Sequence, residues 1–431
     1  MKNKISSKFR SFFKILGPGV ITGAADDDPS GIATYSQTGA QFGYGQLWTA
    51  LFMLPFQAGV QEACARIGAV TGKGIAAVVK EHYSRKILFA VVLLVLVANT
   101  INIGADIGAM AAAAALIVPI NFVILTLIFT ASMLLLEIFT SYKVYSKILK
   151  WLCLSLFAYP ITVFIITQPW GTLLKATVVP HIELNFQFLF IIVGVLGTTI
   201  SPYMFFWQAS EETEEERSAH LMGKNGKPAI NWKFIRNLRL DNFMGMLFSE
   251  IGTWSIIVVT ATVLFSHGIT DIKTAADAAK ALEPLVSTFP NAGYLAKVIF
   301  AVGVIGLGFL SVPVLAGSAA YAFTESFNLN EGLNLKLKKA HGFYGVIIVA
   351  TLIGLIINFI GIDPIKALVF AAVINGVVAV PLIFIIALIA KNKKIMGEYK
   401  SGWVSNSLVW LTFIGMGAAA VGMFFTFFGH G

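Results

Sequence analysis

The sequence predicts an all-α polytopic membrane protein. Eleven transmembrane helices form a five-plus-five inverted repeat, and the first and sixth helices are broken. Three observations carry this reading. Of the 431 residues, 57% are hydrophobic and 12% charged, against roughly 45–50% apolar and about 25% charged in soluble domains. Apolar runs of about 20 residues, the length that crosses hydrocarbon, recur along the whole chain. Proline-containing interruptions fall in the first and sixth of these runs, five spans apart. The same composition excludes a disordered chain, and two cysteines, Cys64 and Cys153, exclude a disulfide framework.

In order, the spans are expected near 13–42, 45–67, 88–115, 119–140, 148–168, 188–211, 240–266, 293–323, 342–360, 364–390 and 404–428. Their continuous apolar character argues against β-barrel strands, which alternate over about ten residues. The basic N-terminus leads into a run holding three aspartates and no cleavage site, so no removable signal peptide is expected. Residues 1–14 then form a basic cytoplasmic N-terminus, 15–168 a first five-helix repeat and 188–390 a second, inverted one. Residues 404–428 form an additional eleventh helix.

Orientation follows from the cations. With the N-terminus inside, segments 1–14, 68–87, 141–150, 211–239, 325–340 and 391–403 hold 25 of the 31 Lys and Arg residues. The outer loops hold Lys175, Lys273 and Lys280. The positive-inside bias therefore predicts a cytoplasmic N-terminus and an outside C-terminus, in a bacterial plasma membrane. The net charge of +9 is absorbed by topology, so nucleic acid is not an expected partner.

Ionisable groups at mid-membrane cost about 2.5–3.5 kcal/mol on insertion scales, so they mark function. The first span carries Asp26, Asp27 and Asp28, followed at once by Pro29, Ser30 and Gly31. Proline removes a backbone donor, serine competes for backbone partners and glycine tolerates open conformations. An unwound stretch there splits the span into two half-helices. In the sixth span Gly194, Gly197, Thr198, Thr199 and Ser201 precede Pro202. Two such breaks, each heading a five-helix half, point to a transporter with its site at the midplane. Freed carbonyls and Asp28 would face a cation there.

The stretches GPGVITGAADDDPSGIATYSQTGA and GTTISPYMFFWQASEE resemble spans 1 and 6 of the NRAMP family of divalent metal transporters. The likeness extends over about residues 15–390. It implies a LeuT-type fold and transport of manganese, iron and related ions, usually with protons. In the family's Asp-Pro-Gly-Asn motif, Asp28 and Pro29 match, while Ser30 and Gly31 replace Gly and the ligand Asn. In its Met-Pro-His motif, Ser201, Pro202 and Tyr203 stand in those places. The expected metal-facing set is therefore Asp28, Gly31, Thr198, Ser201 and Tyr203, with Pro29, Ser30 and Pro202 making the breaks.

Loss of the thioether, the amide and the imidazole leaves a wider pocket of oxygen donors, which suit magnesium, calcium and manganese. Magnesium keeps several waters and needs only one or two carboxylates. The pattern resembles the NRAMP-related magnesium transporter branch. Proton coupling is expected to be weak. All six histidines (82, 181, 220, 267, 341 and 430) lie in loops or at span ends, Asn102 and Ala105 occupy the places of the family's acidic pair, and span 9 lacks an internal arginine.

Other polar residues are accessory candidates. Asn99, Asn102 and Asp106 share one face of span 3, and Asp106 is either a proton carrier or a packing carboxylate. Asp27 adjoins the site, Glu250 lies deep in span 7, and Asn375 in span 10 offers an amide to the ion. Glu62 and Glu137 are expected to be solvated or paired, and Glu211, Glu212 and Glu214 to Glu216 to form a solvated helix end. No HExxH, GxSxG or Walker sequence occurs, so no enzyme is expected. The sequence thus predicts a secondary transporter of divalent cations, magnesium first and manganese also. Proton-coupled manganese or iron transport is the alternative, and an amino-acid or amine transporter of the same architecture is an alternative of another substrate class. No cofactor and no obligate protein partner are expected; the partners are the ion and the bilayer.

Overall fold

The computed structural model describes residues 18–140, 157–223, 228–333 and 335–428. The predicted basic segment 1–14 and the first part of span 5 (148–156) lie outside the described residues. The described residues are almost wholly helical. Span 1 is two helices, α1 (Pro18–Asp26) and α2 (Pro29–Phe42). Then come α3 (Trp48–Thr71), α4 (Ile75–His82), α5 (Arg85–Ala114), α6 (Phe122–Phe139), α7 (Ala158–Ile165) and α8 (Trp170–Val178). Span 6 is again two helices, α9 (Phe186–Thr199) and α10 (Pro202–Ser218). The remainder is α11 (Trp232–Val263), α12 (Ala275–Ala279), α13 (Ala292–Phe327), α14 (His341–Ile357), α15 (Pro364–Lys391), α16 (Lys393–Met396) and α17 (Trp403–Phe428).

Among the described residues, seven stretches are long and apolar enough to cross a membrane. They are α5, α6, the α9–α10 pair, α11 with its following turn, α13, α15 and α17. The remaining predicted spans miss that measure for local reasons. Each half of span 1 is short, and α14 has 17 residues. Helix α3 buries Gln57, Gln61, Glu62 and Arg66, which lowers its apolarity while serving the interior. Short helices α8 and α12 occupy stretches expected as loops.

The two breaks are alike. Each leaves two residues outside the helices, Asp27–Asp28 and Ile200–Ser201, and each is followed by proline in the first turn of the next half. Proline is tolerated there because the missing N–H had no helical partner. Close packing holds α1 on α11: a Cβ on Gly19 would lie 2.7 Å from the Asn242 backbone N, and one on Gly23 would collide with the Gly245 carbonyl.

Glu62 is paired, as expected. Arg66 is fully buried and donates to Glu62 Oε2 (3.0 Å), to Ser401 Oγ (2.8 Å) and to the Tyr399 carbonyl (2.9 Å). Arg239 of α11 meets Glu62 Oε1 at 2.9 Å, so one carboxylate ties α3 to α11 and to the approach of α17. Glu137 departs from expectation: it is buried, and neither carboxylate oxygen has a hydrogen-bond partner among the described residues. The acidic end of span 6 also departs. Glu212, Glu214 and Glu216 are buried because α10 runs on to Ser218 against α13 and the following loop. There Tyr321 Oη and the Leu333 N–H donate to Glu214 Oε1.

Candidate metal centre

Asp28 sits between the halves of span 1 with an extended backbone (φ −67°, ψ 173°) and caps α2. Its Oδ1 accepts from the Gly31 N–H (2.7 Å), from Ser30 Oγ (2.6 Å) and, at longer range, from Thr198 Oγ1 (3.4 Å). Its Oδ2 accepts one bond, from Asn102 Nδ2 of α5 (3.0 Å). A carboxylate offers about four lone-pair sites, so Oδ2 retains capacity for a cation. Asp28 is 1% exposed. The site is thus enclosed where α2, α5 and α9 meet.

The candidates divide into those gathered at Asp28 and those directed elsewhere. Asn375 of α15 donates to Asn102 Oδ1 (3.4 Å), extending a relay of amides from α15 to the carboxylate. Ser30 Oγ and Thr198 Oγ1 lie 3.1 Å apart, bridging the two breaks. Gly31 leaves little room for a side chain, against the expected widening: a Cβ there would meet Tyr35 Cε2 at 3.2 Å and Thr198 Oγ1 at 3.4 Å. Ser201 Oγ points back to the Gly197 and Thr198 carbonyls (2.6 and 2.7 Å). It closes the end of α9, and only its lone pairs remain for an ion. Tyr203 Oη donates to the Ala25 carbonyl of α1 (3.0 Å). Carbonyls expected to face a cation are therefore partly engaged, Ala25 by Tyr203 and Thr199 by Gln57 Nε2 (2.9 Å).

The stripe on span 3 is split. Only Asn102 reaches Asp28; Asn99 Nδ2 donates to the Leu315 carbonyl (3.0 Å), and Asp106 Oδ2 accepts from Ser311 (2.9 Å), both toward α13. Helix α13 packs closely along α5, and its two partners there lie on either side of Pro313. Asp27 and Glu250 likewise stand apart from Asp28. Ser249 Oγ lies 2.5 Å from Asp26 Oδ2 and 3.3 Å from Asp27 Oδ1, and Gln57 Nε2 also donates to Asp26 Oδ2 (2.5 Å). Sequence reasoning passed over Gln57, Ser249 and Tyr35, which carry no charge at neutral pH. Tyr35 Oη lies 2.7 Å from Thr199 Oγ1, joining α2 to α9. A glutamine two residues after Pro55 inside an apolar span was the available signal for Gln57.

Chemically, the centre offers one carboxylate with hydroxyl, amide and carbonyl oxygens around it. Sulfur and imidazole are absent from the hydrogen-bond partners of Asp28 among the described residues. Among the described residues, no three His, Cys, Asp or Glu side chains converge to hold a metal by themselves. This donor set suits a cation that keeps part of its water, not one stripped bare.

A family model described as natural resistance-associated macrophage protein-like matches residues 19–426. The chain is 25% identical over 395 residues to the divalent metal cation transporter MntH of Caldanaerobacter subterraneus subsp. tengcongensis, covering 91% of this chain and 88% of that protein. It is 25% identical over 407 residues to the MntH of Klebsiella pneumoniae strain 342, covering 92% and 91%. Among solved structures, the Eremococcus coleocola manganese transporter superposes with a TM-score of 0.77 at 16% identity, over 98% of this chain and 89% of that one. MhsT in complex with L-phenylalanine superposes at 0.59 and 11% identity, over 95% and 97%. At these identities the superpositions show the fold, which is of the LeuT type.

Proposed function

Because the chain belongs to the NRAMP family, we propose that it is a secondary transporter of divalent metal cations, with Asp28 at the heart of the transport site. The observation that carries this is a buried carboxylate placed between two broken helices and oriented from α5, α9 and its own half-helix. Half-helices that end at the same depth leave polar backbone only where it lines a site. Alternating access follows if one five-helix repeat rocks against the other about this point. The asymmetric Lys and Arg distribution supports a cytoplasmic N-terminus and an outside C-terminus in the plasma membrane.

Manganese is the ion that the relatives' names support, and we adopt transport of manganese, with iron beside it, as the first reading. Magnesium, the leading expectation from sequence, draws nothing from those names. It rests on one observation: no thioether or imidazole is among the bonded neighbours of Asp28 in the described residues, with Gly31, Ser201 and Tyr203 at the positions the motifs would fill with amide, thioether and imidazole. Hard cations are the natural guests of such a set. The test is manganese influx into liposomes holding the purified protein, with magnesium as competitor. Manganese influx above that of empty liposomes is expected. Competition by magnesium at comparable concentration supports the second reading, and absence of any divalent flux overturns both.

A further inference from the structure

Helix α10 starts at the second break and runs away from the site, and one stripe of it is fastened along α13. Tyr203, Trp207, Ser210 and Glu214 recur at steps of four, three and four, so they share a helical face. Each meets α13. Ser318 Oγ donates to the Tyr203 carbonyl (2.8 Å), and Ser210 Oγ donates to Glu325 Oε1 (3.2 Å). Tyr321 Oη donates to Glu214 Oε1. Trp207 stands edge-on to Tyr321, with ring centroids 6.4 Å apart, and covers Gly317, where a Cβ would lie 2.8 Å from its Cζ3.

The far end of this seam is shaped around its two carboxylates. Gly332, at φ +125°, turns the loop after α13 so that the Leu333 N–H donates to Glu214 Oε1 (3.0 Å). A Cβ on Gly332 would lie 2.6 Å from that oxygen. Glu325 Oε2 accepts from the Ala77 N–H (3.0 Å) in the first turn of α4, whose N-cap Gly74 has no side chain to do so. A Cβ on Gly74 would overlap the carboxylate. Glu214 and Glu325 therefore tie α10 to α13, to α4 and to the loop after α13. Glu214 lies about three turns, roughly 16 Å, along α10 from Tyr203.

Elsewhere on α10 the packing is different: Phe205, Phe206 and Ala209 belong to an apolar cluster with residues of α3, α4 and α15. Parting that face exposes apolar area to water, which is costly. Parting the α13 seam exchanges protein hydrogen bonds for bonds to water, at a small net cost. It also leaves an opening lined by carboxylates, which draws a cation. We propose that the α10–α13 seam is the cytoplasmic gate of the transporter, latched shut by Glu214 and Glu325. The ion enclosed at Asp28 reaches the cytoplasm when α10 parts from α13. The proposal rests on Asp28 as the transport site and on the cytoplasmic N-terminus that the cation bias supports, which puts the end of α10 inside.

Thiol labelling of the purified full-length protein tests this. In a chain carrying Cys64→Ala and Cys153→Ala, Ser318→Cys sets a near-isosteric reporter at a fully buried point of the seam. Tyr321→Phe removes the hydroxyl and keeps the ring. It should speed labelling by a water-soluble maleimide about 10-fold, as loss of a hydrogen bond to a charged group implies. Glu325→Gln should act in the same direction, and it serves if a melting curve shows that Tyr321→Phe is not folded. Saturating manganese should change the labelling rate of the reporter chain at least about 2-fold, because the ion shifts the population of open and closed states. Asp28→Asn should abolish that response. Unchanged labelling in both latch variants, at unchanged melting temperature, overturns the gate and leaves Asp28 to stand on influx alone. Faster labelling that ignores manganese while Asp28 is intact makes the seam a loose contact and also overturns the gate. A manganese response that persists in Asp28→Asn keeps the gate and removes Asp28 as the ion's ligand.

Discussion

Asn102 donates its side-chain amide to Asp28 Oδ2 at 3.0 Å, across 74 residues of sequence. That bond fixes the one carboxylate oxygen with spare capacity, and Asn375 steadies Asn102 from α15 in turn. The proposed transport ligand is thus aimed by a residue of α5 and braced by one of α15.

Replacing Asn102 with Ala should lower manganese flux by about 10–100-fold, the usual cost of losing a residue that orients a metal ligand. Asn102→Asp, which keeps size but reverses the donor, should lose flux as well. Unaltered flux in both variants would show that the amide is packing and nothing more.

Gly31→Asn with Ser201→Met should shift preference from magnesium toward manganese and cadmium, because the pair adds a soft ligand and narrows the pocket. The change is expected to be about 5–150-fold, corresponding to about 1–3 kcal/mol of discrimination. Gly31→Asn alone must move the Tyr35 ring, 3.2 Å from the new Cβ, by a few tenths of an ångström. Ser201→Met should give the larger cadmium effect. Competition assays in liposomes read both, and unchanged ratios contradict the assigned positions.

Metal uptake should depend weakly on a proton gradient. By the resemblance to the family, Asn102 and Ala105 take the places of its acidic pair, and no imidazole is among the partners of Asp28 in the described residues. A dye inside the liposomes measures this. Manganese-driven acidification in protein-containing vesicles and not in empty ones contradicts the prediction.

Outside the spans, Glu331 accepts from Thr324 Oγ1 (3.1 Å), and burial pushes its carboxyl up to about 7. The folded protein therefore holds a proton that the unfolded chain releases near about pH 4.3. Folding stability should fall as pH rises from about 4.3 to about 7 and level off above it. Glu331→Gln should flatten that slope and raise the melting temperature at pH 8 in detergent. An unchanged slope in the variant rejects the assignment.

The breaks were legible because proline, glycine and aspartate act locally: Pro29 and Pro202 fall in the first turn of a half-helix whatever packs around them. Asp28 was legible for the same reason, as was the share of Asn102 in a polar face. What could not be read is direction across the bundle. Asn99, Asn102 and Asp106 share a helical face, yet Pro313-bearing α13 takes two of them and the break takes one. The acidic end of span 6 looked solvated because its partners, Tyr321 and the Leu333 N–H, come from more than 100 residues away. Gln57 was missed because an uncharged amide costs less in a membrane than a carboxylate does.

Transport by Asp28→Asn is the most direct test of the whole account. Asparagine keeps the shape and remains a good N-cap for α2, so folding is retained while the charge that binds the cation is removed. Manganese influx per molecule of reconstituted protein should fall by at least about 100-fold relative to wild type. Influx within about 2-fold of wild type, in a variant with an unchanged melting temperature, would contradict the assignment of Asp28 as the ion's ligand.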